Sequence, residues 1–318
     1  MSQTPLISFI VTTYNLPKEL LQNCLQSIVS LSLTPSEREI IIIDDGSERS
    51  LINELGDTRD QCIYIRRANQ GLSGARNTGI GMAHGQYLQF VDGDDLLLRQ
   101  PYEHVIELLR KHAPDMVMFQ LTHETKVSEE YVDSKIVSGA SYMKNNNLHS
   151  SACGYVFRRQ SLGELRFTHN IYHEDEEFTP LLLLCINTLI TTNAHAYFYR
   201  ITPHSITRDS NPAKQRKRLD DTRDILFRLM RISDRMPYMD KTSLQRRIAQ
   251  LSMDYLYNAM VMTRDINYVE DCVRKLRSQG LFPLPKKNYT PKYAWFRRLC
   301  HHKAGRVILL HLLRAKER

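Results

Sequence analysis

The run EIIIIDDGS, residues 39–47, is continuously apolar and then breaks into two carboxylates and a glycine. That is how a strand buried on both faces of a parallel sheet reads, and such a strand needs helices packed over it. The surrounding sequence supplies them. ISFIVT (7–12) is a second β-branched run, followed by Leu20, Leu21, Cys24, Leu25, Ile28 and Leu31 at helical spacing. QCIYIRR (61–67) and QYLQFVD (86–92) read as further strands, with a small-residue helix, GARNTGIGMAHG (74–85), between them. A helix over 102–111 and the strand DMVMFQ (115–120) prolong the alternation, so the expected class is α/β with an open, mostly parallel central sheet. Ligands of such sheets gather at the carboxyl ends of the strands. TTYN, DDGS and DGDD each follow one of these strands directly.

The third of these motifs is costly by itself. A chain with a formal net charge of +8 places Asp92, Asp94 and Asp95 within four residues, and their mutual repulsion calls for compensation. A bound cation and a solvated turn are the two readings. Gly93 permits a turn in which Asp92 and Asp94 point to one side, and an all-oxygen pair suits a hard divalent ion, Mg or Mn, that keeps positions open for substrate phosphates. HEDEEF (173–178) is open in the same way. Its acids can accept a proton from a hydroxyl, or they can simply be the favourable negative first turn of a helix running into FTPLLLLC.

No stretch approaches the roughly 18 to 20 apolar residues of a membrane span, and the N-terminus lacks the pattern of a signal peptide, so a cytoplasmic location is expected. The six cysteines lie far apart without metal-ligand spacing and read as reduced thiols. From about residue 215 the pattern turns helical. RLDDTRDILFRLMRI is one helix, and a second carries the stripe Leu244, Ile248, Leu251, Tyr255, Ala259 and Met262, read as core packing. FPLPKKNYTPKY (282–293), with three prolines, reads as a linker. From Lys286 onward ten Lys or Arg face one acid, Glu317, and Trp295, Phe296, Leu299 and the run 307–313 lie among them. Such a tail either packs as a terminal helix or lies on an anionic membrane face, here the inner one. Nucleic acid is not an expected partner, because carboxylates at successive strand ends repel its phosphates.

ISFIVTTYN, EIIIIDDGS, NQGLSGARNTGI, GQYLQFVDGDD and YHEDEEF occur in the order and approximate spacing of glycosyltransferase family 2, which the sequence resembles over its first 210 residues. The resemblance implies a GT-A fold spanning 1–210, with a nucleotide-sugar-binding half (1–98) and an acceptor-binding half (99–210). A helical appendix (211–282) and the basic amphipathic tail (283–318) would follow. It implies transfer, with inversion, of a single sugar from a nucleotide diphosphate sugar, UDP-linked, to a hydroxyl of a glycan or polyprenyl-linked acceptor. Tyr14 would supply a planar surface for the base and Asp44 or Asp45 an acceptor for its ring N–H, Asp45 lying nearer, with Thr12 and Asn15 supporting the pocket. Arg76 would face the nucleotide or its diphosphate. Asp92 would contact ribose or metal and Asp94 would be the main ligand of the divalent cofactor, with His204 approaching the same ion. Asp175 would be the base and Glu174 would orient the acceptor. Arg158 is either an acceptor or phosphate contact or solvated surface charge. No QxxRW motif is present, which favours single addition over polymerisation. The alternative is a noncatalytic relative that binds nucleotide or sugar.

Overall fold

In the computed structural model, which describes residues 4–201 and 211–315, β1 (Ile7–Thr13) is buried at all seven positions. The chain continues through α1 (Lys18–Val29), β2 (Arg38–Asp44), β3 (Cys62–Arg66), α2 (Gly71–Met82) and β4 (Tyr87–Asp92). β1 is hydrogen-bonded in parallel to β2 on one side and β4 on the other, and β3 adds to β2 in the same sense. Buried at all seven positions, β1 has no solvent face, which is why its sequence lacks polar alternation. α1 turns Leu21, Cys24, Leu25 and Ile28 inward. α2 approaches β1 so closely that a Cβ on Gly79 would sit 2.2 Å from Cγ2 of Ile10.

β5 (Leu96–Leu97), α3 (Arg99–His112), β6 (Met116–Thr122), α4 (Gly139–Asn145), β7 (Tyr155–Arg158), α5 (Asp175–Leu184) and β8 (Leu189–Phe198) follow. The strands form one sheet in the order β3-β2-β1-β4-β7-β6-β8-β5. The α/β class is as expected, and the parallel part holds through β4. In the sheet β6 is not the neighbour of β4. β7 lies between them and is antiparallel to both. Four residues, YVFR, are too few for their periodicity to mark a strand, and this one is recognisable only from its partners.

The chain divides into two compact units, Met1–Gly139 with Ser150–Pro203 and Ala140–His149 with His204–Arg318. The second contains α6 (Pro212–Ser233), α7 (Tyr238–Thr263), α8 (Ile266–Ser278), α9 (Pro291–Cys300) and α10 (Lys303–Ala315). The expected α7 stripe is buried from Leu244 to Ala259. Met262, near the end of the helix, is half-exposed. The proline-rich stretch does not behave as a free linker. Its Phe282 and Leu284, with the preceding Leu281, are buried, and the Tyr293 hydroxyl donates to the Pro285 carbonyl over 3.2 Å.

Candidate active site

Strand register assembles the site. Thr13 pairs with Asp44, Thr12 with Asp92 and Asp44 with Arg66. The ends of β1, β2, β3 and β4 therefore lie level, and TTYN, DDGS and DGDD meet along one sheet edge.

The two DDGS carboxylates are both used within the protein. Asp44, fully buried, accepts from the Ser47 N–H (2.8 Å) and the Tyr64 hydroxyl (2.6 Å), which closes the turn after β2. Asp45 accepts from the Gln70 and Gly71 N–H groups, at 3.1 and 2.7 Å, and lies 3.5 Å from Arg67 Nε. It therefore caps α2 from a distant part of the chain and satisfies donors that the helix itself leaves open. Asn15 takes a left-handed backbone (φ 48°), donates its N–H to Ser47 Oγ and accepts from the Glu48 N–H. This turn leaves Tyr14 55% exposed beside them, an open aromatic face at the strand ends.

Arg76, from α2, ties two distant acid motifs together. Its Nη2 donates to Asp92 Oδ1 (3.1 Å) and its Nη1 to Glu174 Oε1 (2.6 Å), across 98 residues of sequence. The guanidinium is 4% exposed and lies over the rings of Phe90 and Phe167. Burial acts to lower its pKa, but the charges of Asp92, Glu174 and Asp175 outweigh that and raise it above the usual arginine range. Arg76, expected to face the nucleotide or its diphosphate, is held in a bridge between the protein's own carboxylates. Its neighbour Asn77 exchanges two hydrogen bonds of 2.9 Å with the Phe167 backbone. Phe167 in turn stacks on Phe178 of α5 with ring centroids 3.8 Å apart. The GARN segment therefore pins the HEDEEF loop.

The DGDD turn is held from below. The Tyr197 hydroxyl accepts from the Asp92 N–H (3.0 Å) and donates to Asp95 Oδ2 (2.7 Å). Arg200 donates its N–H to Asp95 Oδ1 (2.7 Å) and its Nε–H to the Asp94 carbonyl (2.8 Å). Asp95 is buried, and burial together with Asp92 pushes its pKa up to about 8. It serves the turn. Asp94 is half-buried, and burial followed by the Asp92 charge raises its pKa as well. Asp92 and Asp94 offer hard carboxylate oxygens, and a divalent cation would relieve the burial and repulsion that raise the Asp94 pKa, so their chemistry fits Mg or Mn. Among the described residues no group of three or more metal-ligating side chains converges. The pair would thus need substrate oxygens to complete coordination, as is usual for Mg.

Asp175 opens α5 directly after Glu174, and it is half-buried beside the Arg76 bridge. Thr12 donates to Asp92 Oδ1 over 3.2 Å. Arg158 does not join the site. It pairs with Tyr87 at the start of β4, the opposite sheet edge, where its guanidinium donates to the Tyr87 hydroxyl and lies 3.3 Å from Asp115. β7 runs antiparallel to β4 and carries its C-terminal residue away from the strand ends. His204 lies outside the described residues. Tyr197, Arg200 and Asn77 were not singled out in the sequence as site residues.

The family model for glycosyl transferase family 2 matches residues 8–166, the segment that holds the strand-end motifs and the GARN helix. The chain belongs to this family of transferases. It is 30% identical over 220 residues to the uncharacterized glycosyltransferase EpsJ of Bacillus subtilis, covering 64% of this chain and 63% of that protein. It is 26% identical over 215 residues to the poly(ribitol-phosphate) beta-glucosyltransferase of Bacillus spizizenii, covering 61% of this chain and 32% of that one. The first curated relatives are thus matched over 31% to 63% of their own length. Among solved structures, S. aureus TarS 1-349 in complex with UDP-GlcNAc is similar with a TM-score of 0.67 and 16% identity, over 96% of this chain and 90% of that one. That likeness establishes a GT-A-type fold.

Proposed function

We propose that the chain is a metal-dependent, inverting glycosyltransferase that moves one sugar from a nucleotide diphosphate donor, UDP-linked, to a hydroxyl of a surface glycan or a lipid-linked acceptor. The observation that carries this reading is the Arg76 bridge, which joins the acid turn after β4 to the acid start of α5 in one constellation. The named substrates of two similar proteins, UDP-GlcNAc for TarS and poly(ribitol-phosphate) for the glucosyltransferase, lend support to the donor and acceptor classes.

Tyr14 offers the flat surface a nucleobase stacks on. Asp45, closing the Gln70 and Gly71 amides, keeps the start of α2 rigid beside it. Asp92 and Asp94 would hold the cation, which when bound offsets the negative charge that grows on the diphosphate as it leaves. Arg76 and Thr12 fix Asp92 by donating to the same oxygen. Asp175 takes the proton of the acceptor hydroxyl as its oxygen bonds to the anomeric carbon. The electron pair of the breaking bond leaves with the diphosphate, and attack from the opposite face inverts the centre. Glu174, anchored by Arg76, would hold the start of α5, where Asp175 stands, in position beside the acceptor.

A screen of nucleotide sugars, each incubated with and without Mn or Mg, tests the reading through release of free nucleotide diphosphate. The expected result is turnover of at least one donor that stops on chelation and returns with metal. Tight nucleotide binding without turnover of any donor, with a full acceptor panel, would favour the noncatalytic relative.

A further inference from the structure

We propose that the outward face of α9 and α10 is a docking surface for an anionic lipid bilayer, a role independent of whether the chain transfers sugar. The helical unit claims only half of this tail. Tyr293, Phe296, Cys300, Leu309 and Leu310 are buried in it. Arg306, 4% exposed, is locked to Glu270 by two hydrogen bonds of 2.7 Å. That clamp fixes the rotation of α10. At about 100° per residue, Ala304, Ile308 and Leu312 fall within an arc of about 80°, centred about 160° from Arg306 and Leu310 and about 100° from Leu309. All three are exposed, Ile308 and Leu312 by 51% each. α10 is therefore apolar on two sides, and the interior of the unit accounts for one.

α9 presents the second half of the surface. Trp295 is 50% exposed. Lys292 and Arg298, three residues before and after it, lie about 60° to either side of it and are exposed too, with the Lys292 ammonium 5.0 Å from the Tyr257 ring. An amphipathic ring set between two cations matches the boundary between acyl chains and headgroups. Lys286, Lys287 and Lys303 are also exposed, and no Asp or Glu occurs anywhere from residue 286 to 315. A complementary surface must therefore be negative and must accept apolar side chains together. An anionic bilayer meets both conditions. The docking is of a preformed face, since the residues facing inward stay in place.

Trp295 is the only tryptophan of the chain, so its emission reports the surface directly. The test uses the full chain with vesicles of phosphatidylglycerol and phosphatidylcholine, and with phosphatidylcholine alone, followed by sedimentation and by Trp emission with brominated lipid. The expected result is sedimentation with the anionic vesicles only, weakening with salt, with a blue-shifted and quenched Trp295. Lys292→Ser and Arg298→Ser should each weaken partition about fivefold. The double variant Ile308→Ser/Leu312→Ser should abolish quenching with its far-UV circular dichroism unchanged. No sedimentation with anionic vesicles overturns the proposal. Sedimentation without any change in Trp295 emission also overturns it, because that is charge adsorption without insertion. Binding that survives Ile308→Ser/Leu312→Ser with quenching intact does the same. Self-association that covers Trp295 in the absence of lipid would assign the face to a second copy instead.

Discussion

At the scale of the residue, one guanidinium decides the site. Arg76 is buried with two carboxylates, so its removal leaves Asp92 and Glu174 without their counter-charge. Breaking a buried pair in this way costs about 3–5 kcal/mol. Arg76→Met should therefore lower the unfolding midpoint in denaturant by a correspondingly large amount, and an unchanged midpoint would show the bridge to be energetically idle. Arg76→Lys keeps the charge but presents a single ammonium where two Nη atoms now serve two acids, so it should recover part of the stability only. Asp94 behaves differently. Its carboxyl is strained by burial and by Asp92, and Asp94→Ala should leave the metal-free protein as stable or slightly more so while removing the metal-dependent part of UDP affinity in calorimetry. A metal-dependent affinity that survives the substitution would place the cation elsewhere.

Elements explain what the sequence disclosed and what it hid. Strands β1, β2 and β4 were legible because burial on both faces writes a largely apolar run, broken only by Ser8 in β1 and Gln89 in β4, and the polar residues that end each run are then the strand ends themselves. β7 was hidden, since four residues carry no period and its place depends on partners on either side. The positions of Asp44, Asp45 and Asp92 were legible for the same reason as the strands. The direction of each side chain was not: Asp45 turns to the amides at the start of α2 and Arg76 to two distant acids, choices set by tertiary neighbours. Arg158 shows the same limit, because strand polarity alone put it at the wrong edge. Two element-level outcomes follow. Gly79→Ala forces a methyl into Ile10 across the α2 and β1 contact and should cost about 1–3 kcal/mol, read as a lower thermal midpoint. In the helical unit, the Arg306 hydrogen bonds hold the Glu270 pKa below its usual value. A depressed carboxyl pKa stabilises above the unfolded value and loses that stability as pH falls through the folded one. Thermal midpoints measured from pH 7 down to pH 3 should therefore fall less steeply in Glu270→Gln than in the native chain, from a lower starting point.

For the whole molecule, charge is sorted by task. Acid concentrates at the carboxyl ends of the sheet and base in the last thirty residues, so the net charge of +8 describes neither region. No described helix is long and apolar enough to cross a membrane, and the docking face proposed on α9 and α10 is a surface contact that needs no such helix. In the proposed mechanism the proton of the acceptor hydroxyl goes to Asp175. The most direct test measures nucleotide diphosphate release from the preferred donor by the native chain and by Asp175→Asn, with UDP affinity measured in parallel on both. The account predicts equal affinity, with turnover in the variant lower by about 10²–10⁴-fold. Equal turnover by the two proteins would contradict it.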